Sequence, residues 1–441
     1  MRKLLQTLWL PLIFLILPLE VNAQNGWVAF GVPAPGGQSI HFGNASTGII
    51  INTSGTQYLR TSDGGNTWQT YLKPDTSFQK SYNKVFFVNS QTGWIGGSYV
   101  LTPLPSGFIY KTTNSGLSWG PQVSVYSLRD IQFLNENTGY IATGDIPSFV
   151  TEGGAYKSTN GGASWIYFDL DQYTYFTGVS FINTQTGWLI GHYGDDVGIQ
   201  VQRIYRTTNG GVNFAKILND STAFPNPEIN PIRKIQFLDQ NTGYLLRNKL
   251  LKSTNAGDNW SLIDTNIFTG NYIRNLFFIN KDTGWITTGP TGKIFRTSNG
   301  GVNWTVQNTG QAIVSGEIYF ENGLTGWAMA YNTTLLKTTN GGITAIHNIS
   351  TEIPADLFLY QNYPNPFNPT TKIKFDIPKQ GNVKLTIYDM SGKEVSVLVN
   401  SELKAGSYEY NFDGSGLSSG VYFYKLQSGD FIETRRMILL K

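Results

Sequence analysis

Residues 61–68 read Thr-Ser-Asp-Gly-Gly-Asn-Thr-Trp, and the pattern returns at 112–119, 158–165, 207–214, 253–260, 297–304 and 338–345. Each copy has a hydroxyl, an acid or amide two positions on (Asp63, Asn114, Asn160, Asn209, Asn255, Asn299, Asn340), and a glycine two after that. An Asp or Asn side chain accepts from backbone N–H groups two residues on, the hydroxyl does likewise, and glycine supplies the positive φ. The turn is rigid without an external partner. An aromatic residue closes every copy but the seventh, which ends in Ala345. The acid or amide recurs every 41 to 51 residues, the signature of a repeat architecture.

A second marker precedes each copy: Thr-Gly followed by Trp or Tyr at Gly93, Gly139, Gly187, Gly243, Gly284 and Gly326, with Gly48-Ile49 as a weaker first copy. Apolar lead-ins such as Phe86-Phe87-Val88-Asn89 and Phe278-Ile279-Asn280 come before the marker. The unit therefore holds four short strands: the lead-in, the Thr-Gly strand, an aromatic-basic-Thr strand, and the strand begun by the closing aromatic. A four-stranded meander at this period is a propeller blade. Seven of them cover residues 26–346. Asn25 to Phe30 reads like a turn ending with its following strand, so Trp27 to Phe30 is expected to complete the last blade and close the ring.

The chain of 441 residues has Lys+Arg 32 against Asp+Glu 29, 14% aromatic residues and no cysteine. This composition is folded and all-β, too nearly neutral for a nucleic-acid partner, and without disulfides, thiolate metal sites or cysteine nucleophiles. Of 11 Trp, nine are repeat markers, so architecture explains the aromatic excess. Residues 1–23 read as a signal peptide: Arg2 and Lys3, an apolar run from Leu8 to Leu19, and cleavage after Ala23. No stretch is long and apolar enough for a membrane-spanning helix. The expected organisation is a signal peptide (1–23), a seven-bladed β-propeller (24–350), a linker (351–358) and a small Ig-like β-sandwich (359–441). Period-two alternation places sandwich strands at 373–378, 383–389, 408–412, 420–426 and 437–440.

Within 359–441 stand Tyr363-Pro364-Asn365-Pro366-Phe367-Asn368-Pro369-Thr370, Ile387-Tyr388-Asp389, Gly392 to Val395, Ala405-Gly406, Leu417 to Tyr422 with Gly420, and terminal Lys441. On these residues the segment resembles the type A C-terminal sorting domain of the type IX secretion system of the Bacteroidetes and related bacteria. That resemblance implies passage of the inner membrane by the signal peptide and of the outer membrane by the sorting domain, with the type IX machinery as partner. It also implies a secreted or surface-attached product of a Gram-negative cell. The repeats resemble BNR/Asp-box repeats and are similar to the photosystem II assembly factor propellers, which implies the fold and not that role.

Asp-boxes also occur in sialidases and glycoside hydrolases. A sialidase needs an arginine triad, a Tyr nucleophile with a Glu partner and an N-terminal Phe-Arg-Ile-Pro-type segment, and that segment is absent. Arg60, Arg206 and Arg296 share their repeat position with Lys111, Lys157, Lys252 and Lys337, so they read as scaffold whose stems pack and whose charges reach water. Asp195 and Asp196 lack the spacing of a calcium loop, and no phosphate loop is present, so no metal or cofactor is expected. The longest connections leave blades 2, 3 and 4 on the face opposite the Asp-box turns. They carry Tyr99, Phe149, Glu152, His192, Tyr193, Asp195, Asp196, Phe224, Asn226 and Glu228, candidates for binding a glycan or a protein. The reading is a non-catalytic binding or adhesion module. The alternative, a polysaccharide-acting hydrolase, requires paired carboxyls about 5 to 9.5 Å apart in the channel mouth or loop face.

Overall fold

The computed structural model describes residues 26–441, except 34–36, 53–55, 77–79, 100–105, 124, 145–152, 169, 171–173, 195–199, 221–231, 248, 264–271, 290–291, 308, 310–313, 331–333, 343–345, 351 and 415–416. Among the described residues every regular element is a strand, and the strands form nine four-stranded antiparallel sheets. Seven of these are blades. In blade 2, Lys80–Phe87, Gly93–Tyr99, Gly107–Thr112 and Gly120–Pro121 pair in chain order. The lead-in strands, Gly37–Phe42, Lys80–Phe87, Leu128–Phe133, Thr174–Phe181, Lys234–Phe237, Tyr272–Phe278 and Val314–Phe320, neighbour one another in a closed ring.

Each blade is clamped at one end by its own turns. Thr61 Oγ1 accepts from the Gly65 N–H at 2.8 Å and Asp63 Oδ1 from the Thr67 N–H at 2.9 Å, while Gly65 adopts φ 79°. In blade 2 the turn after the lead-in is held by Asn89 Oδ1, and its Gln91 carbonyl accepts from the Ser115 N–H of the box at 2.9 Å. The equivalent clip recurs in all seven blades. Both turn types therefore share one face, and the longer connections leave from the other.

Blades adhere through stacked rings. Trp94 of blade 2 lies flat on Phe133 of blade 3 at 3.4 Å, and Tyr140–Phe181, Trp188–Phe237, Tyr244–Phe278, Trp285–Phe320 and Trp327–Phe42 repeat the contact. The first boundary, where Ile49 stands at the marker, has no such stack. The glycine before the marker residue is required because the lead-in Phe of its own blade covers it: a Cβ on Gly187 would lie 2.1 Å from the Phe181 ring. The basic repeat residues do not simply reach water. Arg60, Lys157, Arg206 and Lys252 each donate to a backbone carbonyl of the next blade's box, at 2.7 to 3.1 Å. Lys337 of blade 7 reaches Asn66 Oδ1 of blade 1 at 2.7 Å.

The ring closes with the N-terminal strand. Val28–Gly31 pairs with Thr334–Lys337 as the outer strand of the seventh blade, and Trp27 is buried. The remaining two sheets form the C-terminal sandwich. One has the order Ile346–Ser350, Gly406–Asp413, Thr370–Ile377, Phe358–Leu359, and the other Glu394–Leu403, Gly381–Tyr388, Gly420–Ser428, Phe431–Leu439. They enclose Leu359, Phe375, Leu385, Tyr424, Leu426 and Met437. Two details differ from the sequence reading. Ile346–Ser350, placed at the propeller's end, pairs with the sandwich strand Gly406–Asp413, because its hydrogen bonds are taken by Ser407 to Tyr410. Glu394–Leu403 is a further strand, absent from the sequence reading.

Candidate functional site in the central channel

The seven lead-in strands surround a cavity of about 470 Å³. Each strand's last Phe pairs with the marker glycine and points into the sheet stack, so the residue before it points the other way. That position gives a tier of His41, Phe86, Gln132, Ser180, Gln236, Phe277 and Tyr319 nearest the Asp-box end. Two residues earlier lies a second tier that includes Ser39, Lys84, Asp130, Lys234, Asn275 and Glu317. Just before the second tier the strand register skips one residue, at Arg129, Thr177 and Arg274 among others. Such a bulge turns an additional side chain toward the same face. Arg129, Thr177 and Arg274 accordingly line the cavity with Arg233, nearest the face of the longer connections.

The channel side of the strands is closed to backbone pairing by these side chains. Gln132 exchanges hydrogen bonds with the Phe181 N–H and carbonyl, and Gln236 does the same with Phe278. The Phe87 N–H donates to His41 Nδ1, Val85 to Ser39 Oγ, Val179 to Asp130 Oδ2 and Phe237 to Ser180 Oγ. His41 is sandwiched between Phe86 and Tyr319 at 4.6 and 4.7 Å, and burial lowers its pKa to about 3. The aromatic residues gather on the side of blades 6, 7, 1 and 2, and the amides and Ser180 on the side of blades 3, 4 and 5.

Five basic residues, Lys84, Arg129, Arg233, Lys234 and Arg274, and two acids, Asp130 and Glu317, line the cavity. Lys84 Nζ stands between the acids, 3.9 Å from Asp130 and 3.5 Å from Glu317. Burial opposes the charge on Lys84, but Glu317 and Asp130 outweigh it and hold the ammonium above its usual pKa. Burial lowers that of Lys234, whose Nζ donates to Asn275 Oδ1 at 2.7 Å. Glycoside hydrolases also bring two carboxylates together, but they keep the space between for a scissile bond and a water. Here the Lys84 ammonium occupies it.

Of the loop residues expected to bind, Tyr99 and His192 lie among those fully described. Tyr99 ends a strand and packs beside Phe108, 5.1 Å from Lys80 Nζ. His192 stands within the strand Gly187–Gly194, not in a solvated loop: it is 1% exposed, its Nε2 lies 3.2 Å from the Ile232 carbonyl, and burial lowers its pKa to about 4. Tyr193 is placed by its backbone in the same strand, while Phe149, Glu152, Asp195, Asp196, Phe224, Asn226 and Glu228 lie outside the described residues, as does Ala23. The seven box acids and amides are consumed by their own turns. In the sandwich, Asn365 Oδ1 accepts from the Ile438 N–H at 2.9 Å, Thr371 donates to the Pro364 carbonyl at 2.7 Å, and the Asn365-Pro366 bond is cis. Gly420 pairs with Leu439, Tyr422 donates to the Ser418 carbonyl, and the Lys441 N–H donates to Ser419. Asn365 thus ties the first segment of the sandwich to its last strand, and the other motif residues fix local turns and the neighbouring strand Gly420–Ser428.

Residues 361–440 match the family described as the secretion system C-terminal sorting domain. That part of the chain is a sorting domain. It marks the protein for export by the type IX secretion system, to the cell surface or beyond. Two solved structures share the propeller fold: YCF48 bound to D1 peptide, 18% identical over 73% of this chain and 99% of that one with a TM-score of 0.54, and YCF48 from Cyanidioschyzon merolae, 17% identical over 71% and 98% with a TM-score of 0.52. An ancestral GH74 enzyme is more distant, at 13% identity over 95% and 61% and a TM-score of 0.47. No curated protein matches the chain in sequence. Among the described residues no group of three or more His, Asp or Glu is placed to hold a metal, and no helix is long and apolar enough to cross a membrane.

The channel tiers escape a sequence reading because the lead-ins read only as apolar strands. A signal is there. Nine residues before the marker glycine the copies carry Ser39, Lys84, Asp130, Gly178, Lys234, Asn275 and Glu317, a mixed polar position within otherwise apolar lead-ins. A position that differs in this way from blade to blade serves no common packing role.

Proposed function

We propose that the exported propeller is a binding module and that its ligand enters the central channel from the face of the longer connections. The observation that supports this best is the channel's composition: half-buried rings, amides and cations converge there, while the box residues are absorbed by the scaffold. A concave site with a few converging polar groups is the ordinary form of a ligand site. The ligand is an extracellular glycan or protein, and the role is recognition or adhesion without catalysis. Likeness to YCF48, which binds a D1 peptide in one of the solved structures, is compatible with a recognition role for such a propeller. The hydrolase alternative is disfavoured by Lys84, which fills the space between the two channel carboxylates.

The test is a screen of the full chain against glycan arrays and extracellular protein extracts, beside the same chain carrying Arg233→Glu. Captured ligands lost in the variant support the channel. Turnover of a polysaccharide that disappears in Glu317→Gln would overturn the non-catalytic reading.

A further inference from the structure

We infer that the channel takes an acidic saccharide, a sugar unit bearing a carboxylate or sulfate group. The inference rests on the reading of the channel as the ligand site and names the class of ligand.

The cavity is lined by five basic and two acidic side chains, and a concave site with such an excess of cations attracts an anion. Both acids flank Lys84, and no other carboxylate lines the cavity among the described residues. Arg129, Arg233 and Arg274 lie toward the mouth. Guanidinium groups present paired donors that match a carboxylate or sulfate, and two of these are held in place. Arg129 Nε donates to the Gly144 carbonyl at 2.6 Å, and Arg274 Nη2 donates to the Tyr272 hydroxyl at 2.7 Å with its guanidinium 5.2 Å over the Tyr272 ring. Arg233 is exposed. Two polar atoms of the cavity wall, Thr177 Oγ1 and Arg274 Nε, are buried without a hydrogen-bond partner among the described residues.

The choice of a sugar over an acidic peptide follows from the other two features. An extended peptide commonly docks by adding a strand to a free sheet edge. The lead-in strands are the inner edges of their sheets, but the N–H groups of Val85, Phe87, Val179, Phe181, Phe237 and Phe278 are already taken by side chains of the preceding blade. What the channel offers instead is side chains: the half-buried rings of Phe86, Phe277 and Tyr319 on one wall, beneath cations at the mouth. A pyranose ring sets its C–H face on an aromatic ring and its charged substituent on the guanidinium groups.

The test titrates the full chain with three oligosaccharides of equal length: one containing glucuronate, one sulfated, and the neutral glucose analogue. At least one anionic form should bind about tenfold tighter than the neutral one, with affinity falling as salt rises. Comparing the two anionic forms identifies the acid group. Arg233→Glu, an exposed position that leaves the fold intact by thermal melt, should weaken anionic binding about tenfold or more. Equal binding of the neutral analogue, lost in a Phe277→Ala chain, overturns the acidic class and leaves the channel as the site. Anionic binding untouched by Arg233→Glu overturns the channel itself. Binding of an acidic peptide but of no saccharide, lost in Arg233→Glu, overturns the sugar and keeps the site.

Discussion

The Lys157 ammonium of blade 3 donates to the Gly210 carbonyl oxygen of blade 4 at 2.9 Å, beside the Tyr140 ring that stacks on Phe181 across the same boundary. One residue thus caps the neighbouring turn while its ammonium stands 5.9 Å over the ring that joins the blades. Lys157→Met keeps the stem and removes the donor. A hydrogen bond to a charged group contributes about 1.5–3 kcal/mol, so the urea midpoint should fall by the equivalent of that range. Lys252→Met, which breaks the bond to Gly300 at 2.9 Å, should match it, and the double variant should show the sum because the sites share no partner. An unchanged midpoint would mean that the ammonium gains as much from water.

The stacked boundary carries more. Trp94 is fully buried, lies 3.4 Å from Phe133 and donates its indole N–H to the Gly161 carbonyl at 3.0 Å. Trp94→Ala should cost about 3–5 kcal/mol. Gly187→Ala tests the same kind of boundary from the opposite direction: the added methyl meets the Phe181 ring, and overpacking costs about 1–3 kcal/mol. Calorimetric melting of both variants checks this, and a melt like the parent's for Gly187→Ala would mean that Phe181 moves aside freely.

The fold could be read because its determinants are local and repeated. The Asp63 turn needs only its own hydroxyl, acid and glycines, and the marker glycine needs only the Phe six residues before it; seven copies make both visible. The channel could not be read the same way. Whether Lys84 meets Asp130 or Glu317 depends on how blades 2, 3 and 7 are seated around the axis, and no spacing within one repeat encodes that. The bulge that turns Arg129 inward is likewise a property of pairing, not of composition. His192 misled for a related reason: its Tyr-Gly-Asp-Asp neighbours read as a polar loop, whereas the strand continues past it and the Ile232 carbonyl of the next blade receives it.

Ring closure by the N-terminal strand makes a direct prediction. Val28, Ala29, Phe30 and Gly31 pair with Lys337 back to Thr334, and Trp27 donates to Gln307 Oε1 at 2.9 Å and sets its edge on Phe320. Deleting residues 24–32 exposes that strand edge and empties the indole site, so the melting temperature should drop sharply. Trp27→Phe keeps most of the apolar contact but leaves Gln307 without its donor, a loss of about 1–3 kcal/mol. A truncated chain that melts with the parent would show that the seventh blade holds without its outer strand.

Acid sensitivity follows from two desolvated imidazoles, His192 in the core and His41 held between two rings on the channel wall. Burial lowers the pKa of His41 to about 3 and that of His192 to about 4, whereas an unfolded chain titrates its histidines near the ordinary value of about 6.5. Above that value neither state holds the proton and the full stability is present. As pH falls below it, the unfolded chain takes up protons that the native chain refuses, so stability declines by up to about 1.4 kcal/mol per pH unit for each residue. The decline attributable to His192 ends near pH 4, where the folded imidazole also charges, and that of His41 continues to about pH 3. Urea unfolding from pH 7 to pH 4.5 should therefore show a falling midpoint for the parent and a shallower fall for His192→Gln. Parallel slopes for the two proteins would mean that His192 titrates in the folded chain as it does in water, and that the strand Gly187–Gly194 opens there to solvent.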